Sequence, residues 1–283
     1  MTPATAPGTA NEALRAAIAK LRDAGIADPA RDARLLLAHA MAIAPDRLTL
    51  HLNERLTSSA ANQFTALIKA RLTRQPVAQI IGHRLFWGRT FIVTKDVLDP
   101  RPETETLIVE ALKFAAKSVL DLGTGSGAIL LTLLAEWPDA QGTGTDISSP
   151  ALAVARSNAQ ALGLSDRAVF MLSDWFAGLT TRYDLITSNP PYLAAGEMPY
   201  LLPDVRDHEP HIALTPGGDG LDAFRAIVAG AGAYLNPNGR LIVELGPTQG
   251  AVVCSMFAAA GLNNITLHKD LDGRDRVVSA YRR

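Results

Sequence analysis

Val119-Leu-Asp-Leu-Gly-Thr-Gly-Ser-Gly-Ala128 runs from an apolar strand through a glycine-rich turn into a helix. Gly123, Gly125 and Gly127 let the backbone turn tightly and approach a ligand without Cβ obstruction. Thr124 and Ser126 complete the loop, and Asp121 at the strand end puts a carboxylate beside it. Asp146 ends the next strand, and in a doubly wound sheet it reaches the same crevice, where it can accept hydrogen bonds from both ribose hydroxyls. An adenosine-bearing ligand follows. The same residues fit the dinucleotide pattern Gly-x-Gly-x-x-Ala, so this loop alone leaves a nicotinamide dehydrogenase and an S-adenosylmethionine enzyme both open.

Outward from that loop, apolar strands alternate with helical stretches. Strands are predicted over Ser118–Leu122, Gln141–Asp146, Val169–Leu172, Tyr183–Ser188 and Arg240–Glu244. Helices are predicted over Gly127–Glu136, Pro150–Leu162, Gly220–Ala233 and Thr248–Ala260, and Ile265–His268 with Val277–Tyr281 close the chain as an antiparallel pair. The alternation argues for an α/β fold: a doubly wound, Rossmann-like sheet with helices on both faces and an antiparallel C-terminal strand. Upstream, Ala78–Ile81 and Thr90–Val93 are short β-prone runs around Phe86-Trp87-Gly88, which predicts a hairpin linker.

Asp184-Leu-Ile-Thr-Ser-Asn189-Pro-Pro-Tyr192 decides the chemistry. Each proline fixes its own φ and lacks an N–H, so the carbonyls of Asn189 and Pro190 sit on a stiff loop at the carboxyl edge of the sheet. A side-chain amide oxygen and a rigid carbonyl together accept both hydrogens of a planar –NH2 group. Tyr192 offers a flat face for that group to lie on. Amide and exocyclic amine nitrogens are poor nucleophiles, and such a clamp orients them and stabilises the growing positive charge. Hydride transfer has no use for it. A methyl donor already activated as a sulfonium needs no metal.

The first 75 residues read differently. Leu14, Ala17, Ile18 and Leu21 lie at helical spacing within Asn11–Ala24, and the pattern recurs over Asp32–Met41 and Ser58–Leu72. Pro29, Pro45 and Pro76 punctuate these stretches, and Asp28, Thr57 and Ser58 are placed to cap them. A small N-terminal helical bundle is expected. Three segments result: a helical domain over 1–75, a hairpin linker over 76–100 and a catalytic domain over 101–283.

The 283 residues are 48% hydrophobic and 19% charged, which excludes a disordered chain. Lys and Arg number 27 against 28 Asp and Glu, so no overall basic field exists to hold nucleic acid. Residues 1–75 carry a balance of +4 (10 against 6) and the rest −5 (17 against 22). One cysteine, Cys254, excludes an internal disulfide and reads as a small apolar residue in a helix. Met1–Ala10 lacks a cationic start and an apolar core, so no signal peptide is expected there. No apolar run is long enough to span a bilayer. A cytoplasmic, membrane-free protein is expected.

Arg101-Pro-Glu-Thr-Glu105, the Asp-Leu-Gly-Thr-Gly-Ser-Gly loop and Ser-Asn-Pro-Pro-Tyr together resemble the PrmC/HemK family of bacterial protein-(glutamine-N5) methyltransferases, the release factor glutamine methyltransferases. The resemblance continues through Pro76-Val77, Phe86-Trp87-Gly88, Glu209-Pro210, Gly217-Gly-Asp-Gly-Leu221 and Lys269-Asp-Leu-Asp-Gly-Arg-Asp-Arg276. It implies methyl transfer from S-adenosylmethionine, giving S-adenosylhomocysteine, to the side-chain nitrogen of the glutamine in a Gly-Gly-Gln loop of class 1 peptide release factors. It implies that Gly123 to Gly127 and Asp146 hold the cofactor. Asp174 and Trp175 border the adenine, with Asn189 also beside the cofactor. Asn189, Pro190 and Tyr192 carry the chemistry, and Pro191 helps to complete the glutamine pocket. Arg101 and Glu103 either shape the cofactor lid or form a structural ion pair. Asp99 and Gln79 depart from the family pattern, which expects an apolar residue and an aromatic there.

A glutamine methyltransferase acting on a ribosomal protein shares nearly all these motifs. A DNA adenine-N6 enzyme uses a similar clamp on a flipped base, but the −5 balance after residue 75 opposes phosphate binding. A non-enzymatic binding module is disfavoured by the intact clamp. The six histidines lack metal-ligand spacing, and His208 and His211 are expected to make loop contacts. Asp270–Arg276 reads as a charged turn without the glutamate of a calcium loop. No metal is expected, and a monomer is.

Overall fold

Within β3 (Ser118–Leu122), successive side chains part to opposite faces. Val119 enters one apolar core and Leu120 the other. The computed structural model describes residues 8–283 in two units. One takes in the chain up to Gly82 with Leu202–His208. The other comprises His83–Leu201 and Glu209–Arg283. The reading of Met1–Ala10 falls, for residues 1–7, outside the described residues.

In the helical unit, α1 (Ala10–Asp23) opens on a capping box. Thr9 accepts from the Glu12 N–H at 3.2 Å, and Glu12 accepts from the Thr9 N–H at 2.8 Å. Asp28 caps α2 (Pro29–Ala40) and Thr57 caps α3 (Ser58–Leu72), as their sequence positions predict. Leu14, Leu21, Leu36, Leu37, Phe64 and Ile68 form the core. Buried Arg71 donates to Asp32 at 2.7 Å and also to Asp204. His208 Nε2 meets the Thr73 carbonyl at 2.9 Å, and Gln79 donates to the His208 carbonyl at 3.0 Å. These bonds tie Leu202–His208 to this unit, and Gln79, which stands where an aromatic was expected, makes one of them.

Ala78–Ile81 is not a strand. It lies in α4 (Val77–Ile81), which begins after Pro76 and ends at left-handed Gly82 with φ 80°. Five residues cannot separate the two periodicities, and the contacts of Val77, Ile80 and Ile81 with the helical core decide. The hairpin is instead β1 (His83–Phe86) with β2 (Arg89–Ile92). Trp87 and Gly88 both adopt positive φ, 48° and 70°, as a two-residue turn between right-twisted strands requires.

The larger unit is built on seven strands: β3, β4 (Gln141–Asp146), β5 (Ala168–Leu172), β6 (Tyr183–Ser188), β7 (Leu235–Glu244), β8 (Asn263–Lys269) and β9 (Asp275–Tyr281). Their order is β5-β4-β3-β6-β7-β9-β8, parallel from β5 to β7 and antiparallel at β9 and β8. Helices α5 (Glu105–Leu112), α6 (Ala128–Glu136) and α7 (Ser149–Ala161) bury Leu107, Leu130 and Leu152 against one face. Helices Asp222–Tyr234 and Gly250–Ala259 bury Phe224 and Phe257 against the other. The predicted doubly wound sheet and its antiparallel end are both present. Helix α5 escaped sequence reading, because its eight residues follow directly on the short 3-10 turn Pro102–Thr104.

The strand order reverses beside β3. After β3, β4 and β5 the chain returns to place β6 on β3's other side, which opens a crevice beyond the carboxyl ends of β3 and β6. Leu122 pairs with Ser188 there, so the loops beginning at Gly123 and Asn189 start side by side.

Candidate active site

A cavity of about 360 Å³ occupies that crevice. Of the residues expected to hold an adenosine ligand, Gly123, Thr124, Gly125, Ser126, Asp146, Asp174, Trp175 and Asn189 line it, as does Pro191. Gly127, Pro190 and Tyr192 do not. Gly127 is the left-handed residue that starts α6, and its N–H donates to the Thr124 carbonyl at 2.8 Å. Pro190 is buried. Tyr192 packs on the second core, and its carbonyl accepts from Gln249 at 2.8 Å. Burial, and the charge of Glu244, push the Tyr192 phenol up to about 12. It therefore stays neutral at physiological pH.

The loop makes a cradle. Gly123 and Gly125 have φ 67° and 54°, and an added Cβ at either would meet no protein atom within 4 Å. That open volume is the space a ligand needs beside the backbone. Asp146 accepts the Gly125 N–H at 2.9 Å on one oxygen and the Ser148 N–H at 2.8 Å on the other. Each oxygen retains a further lone pair, and Asp146 lines the cavity. Burial raises the Asp146 carboxyl above its ordinary range, while those backbone donors pull the other way. Asp121 does not reach the cavity. It is buried between the hydroxyls of Thr124 and Thr187, at 2.7 and 2.8 Å, where it ties the loop to β6. Burial pushes it up to about 7.

Asn189 donates from Nδ2 to the Thr104 hydroxyl at 3.3 Å, and among the described residues no donor is found on its amide oxygen. Thr104 closes the 3-10 turn Pro102–Thr104, and both it and Arg101 line the cavity. Arg101 pairs with Glu209 at 2.6 Å, not with Glu103, which faces Arg274 at 3.8 Å. Asp99 is buried against Arg84 at 3.5 Å and Arg101 at 4.0 Å, so the unusual carboxylate is matched by two guanidiniums. Glu209 is pushed up to about 7 by burial and the neighbouring Asp99, against the pull of Arg101.

Sequence reading missed several lining residues. Asp96, Val97 and Leu98 come from the loop after the hairpin, and Ile147 follows Asp146 with 54% exposure. Pro210, Ile212 and Thr215 form part of the wall. Only Ile147 had a usable signal, an apolar residue directly after the strand-end acid. Among the described residues, no group of three or more His, Cys, Asp or Glu side chains could hold a metal ion. No helix among the described residues is long and apolar enough to cross a membrane.

Residues 12–82 match the PrmC N-terminal domain family and residues 93–206 the methyltransferase small domain family. Among solved structures, a methyltransferase from Pyrococcus furiosus superposes with a TM-score of 0.54 at 17% identity, covering 70% of this chain and 90% of that one. The fold is thus that of the methyltransferases. Curated relatives narrow the class. The release factor glutamine methyltransferase of Cereibacter sphaeroides is 60% identical across 96% of this chain and 98% of its own. Those of Rhodospirillum rubrum and Caulobacter vibrioides are each 43% identical, across 93% and 94% of this chain and 82% and 94% of their own. The chain belongs to the release factor glutamine methyltransferase family.

Proposed function

We propose that the protein transfers a methyl group from S-adenosylmethionine to the side-chain nitrogen, N5, of the glutamine in the Gly-Gly-Gln loop of class 1 peptide release factors. The observation that carries this reading is the placement of Asn189, an amide with a free acceptor oxygen, in one cavity with the Gly123–Ser126 cradle. Three carboxylates, Asp96, Asp146 and Asp174, line that cavity, and a cationic, hydroxyl-bearing cofactor suits them. S-adenosylmethionine, when bound, supplies a methyl group activated as a sulfonium and leaves as S-adenosylhomocysteine.

The chain's part is positioning. Asp146 accepts the ribose hydroxyls, while Ile147, Asp174 and Trp175 border the base. Asn189 Oδ1 accepts one hydrogen of the substrate –NH2 and the backbone carbonyl of Pro190, next in the chain, takes the second, while the Pro190 ring stays buried outside the lining of the cavity. Those bonds fix the nitrogen in reach of the methyl carbon and strengthen as positive charge grows on it. The proton lost from the methylated nitrogen passes to water. Pro191 and Tyr192 keep the loop stiff, with Tyr192 holding its outer side rather than the reacting amide. In this reading residues 1–75 recognise the release factor, 76–100 link, and 101–283 catalyse, in a cytoplasmic monomer that uses neither metal nor nucleic acid.

The test is labelled methyl transfer to a purified release factor, run beside the same factor with its Gly-Gly-Gln glutamine replaced. One methyl on that glutamine, and none on the variant, is the expected result. Label on a ribosomal protein or on DNA instead would overturn the substrate assignment.

A further inference from the structure

Trp175 adopts φ 51°, in the left-handed region that a bulky side chain rarely enters. It is the second residue of a four-residue turn, closed by the Ala177 N–H on the Asp174 carbonyl at 3.0 Å, where positive φ ordinarily calls for glycine. Strain of this kind persists only where the surroundings enforce it. Here three contacts do. The buried Thr145 hydroxyl donates to the Trp175 carbonyl at 3.2 Å. Ser173 donates to the Ala177 carbonyl at 2.7 Å, with the Trp175 carbonyl 3.1 Å away. Phe176 anchors the turn from the core side. It stacks on Tyr234 at 4.9 Å and fills the notch at Gly230, where an added Cβ would lie 2.4 Å from its ring.

We infer that Thr145 is a positioning residue whose hydroxyl holds Trp175 in this backbone, so that the indole stands in the cavity wall before any ligand arrives. A hydroxyl has one proton to give. Ser173 gives its proton to the nearer Ala177 carbonyl, so Thr145 supplies the donor that the Trp175 carbonyl receives. With Phe176 fixed inward, the left-handed step at Trp175 leaves the indole packed on the second core and lining the cavity.

Thr145 also sits where two walls of the cavity meet. Its carbonyl accepts the Thr124 N–H at 2.9 Å. The next residue, Asp146, takes the Gly125 N–H on its carboxylate at 2.9 Å and the Ser173 N–H on its carbonyl at 3.0 Å. The end of β4 thus ties the glycine cradle to the turn that carries Trp175. Binding to a wall already in place avoids the loss of freedom that ordering it would entail. The inference rests on the proposed function in naming S-adenosylmethionine as the ligand and Trp175 as the border of its base. The strained turn and its holder stand on geometry.

The experiment measures S-adenosylmethionine affinity by titration calorimetry on the full chain with Thr145→Val, Thr145→Ser, Trp175→Ala, and Thr145→Val combined with Trp175→Ala. Thr145→Val keeps the shape and removes the donor, so Kd should rise about tenfold, a common loss for one hydrogen bond, with kcat at saturating cofactor within about twofold of wild type. Thr145→Ser should restore most of the affinity. In the Trp175→Ala background Thr145→Val should change Kd less than twofold, because no indole is left to hold. A Thr145→Val Kd within twofold of wild type overturns the inference, as does a loss that Thr145→Ser leaves unrepaired or one of equal size without the indole. The indole 15N–H resonances separate positioning from general loosening. Thr145→Val should move that of Trp175 and leave those of Trp87 and Trp137 in place; an unmoved Trp175 resonance, or all three displaced together, overturns it. If wild type bound no S-adenosylmethionine, the functional reading would fail instead, and the indole resonances of the unliganded chain would still decide here.

Discussion

Ser188, the last residue of β6, donates its hydroxyl to the carbonyl of Leu122, the last residue of β3, at 2.8 Å. The bond clips the two central strands at their carboxyl ends, one residue before the cradle on one side and the clamp on the other. Asp121 makes a second clip one step deeper, accepting from Thr187 and Thr124 together. The two functional loops are therefore held in register by buried polar contacts within the sheet.

Replacing Asn189 by alanine removes the amide oxygen while leaving the cradle intact. Turnover should fall about 100-fold, the usual loss for one transition-state hydrogen-bond acceptor or donor. Cofactor affinity by calorimetry should change less than threefold. Near-normal turnover would exclude Asn189 from the clamp.

Asp146→Ala acts on binding. Two charge-assisted ribose bonds would go, together with the acceptors of Gly125 and Ser148. Each such bond contributes roughly 1.5–3 kcal/mol, so the cofactor Kd should rise at least about tenfold. Unchanged affinity in titration calorimetry would place the ribose elsewhere.

Gly220 shows how tightly the clamp loop is braced from outside. Its φ is 80°, and an added Cβ would lie 2.5 Å from the Tyr192 carbonyl oxygen and 2.9 Å from the Ala194 nitrogen. Both neighbours are backbone, so Gly220→Ala must shift the loop that starts at Asn189. A several-fold or greater loss of kcat is expected, with cofactor affinity retained. Wild-type kcat would show that the loop gives way at no cost to the chemistry.

Three buried carboxyls, Asp121, Glu209 and Glu244, are pushed to about 7 in the folded protein, chiefly by burial. In the unfolded chain they ionise near 4. Between about pH 4 and pH 7 the folded state thus holds more protons than the unfolded one, and their contribution to stability falls as pH rises. The limiting slope is about 1.4 kcal/mol per pH unit for each carboxyl. Thermal denaturation should show Tm declining from pH 5 to 7 and levelling above, with a shallower decline in Glu244→Gln. A Tm that climbs across that range would contradict the burial argument.

Local order fixed much of what could be read in advance. Ser118–Leu122, Gln141–Asp146, Tyr183–Ser188 and Ser58–Leu72 have their predicted bounds to the residue, because apolar periodicity and sharp Gly, Pro or acidic boundaries agree there. Ala78–Ile81 failed where only four residues spoke and distant packing had the deciding vote. Thr104 stands in the Arg101-Pro-Glu-Thr-Glu105 motif, but nothing there announced that it would meet Asn189. Thr104 and Asn189 are separated by 85 positions of chain, and neither motif announces the other.

By itself, the sequence determined the alternation of strands and helices, the glycine-rich turn after β3 and the stiff Asn-Pro-Pro turn after β6, since all of these rest on backbone freedom and side-chain chemistry within a few residues. Tertiary structure alone decided that Asp121 braces rather than binds, that Tyr192 turns to the core, and that Arg101 takes Glu209 and Asp99 as partners. It also buried Glu244 at the end of β7. Those outcomes depend on strand order and on which groups lose their water together, and burial of that kind is a property of the assembled sheet.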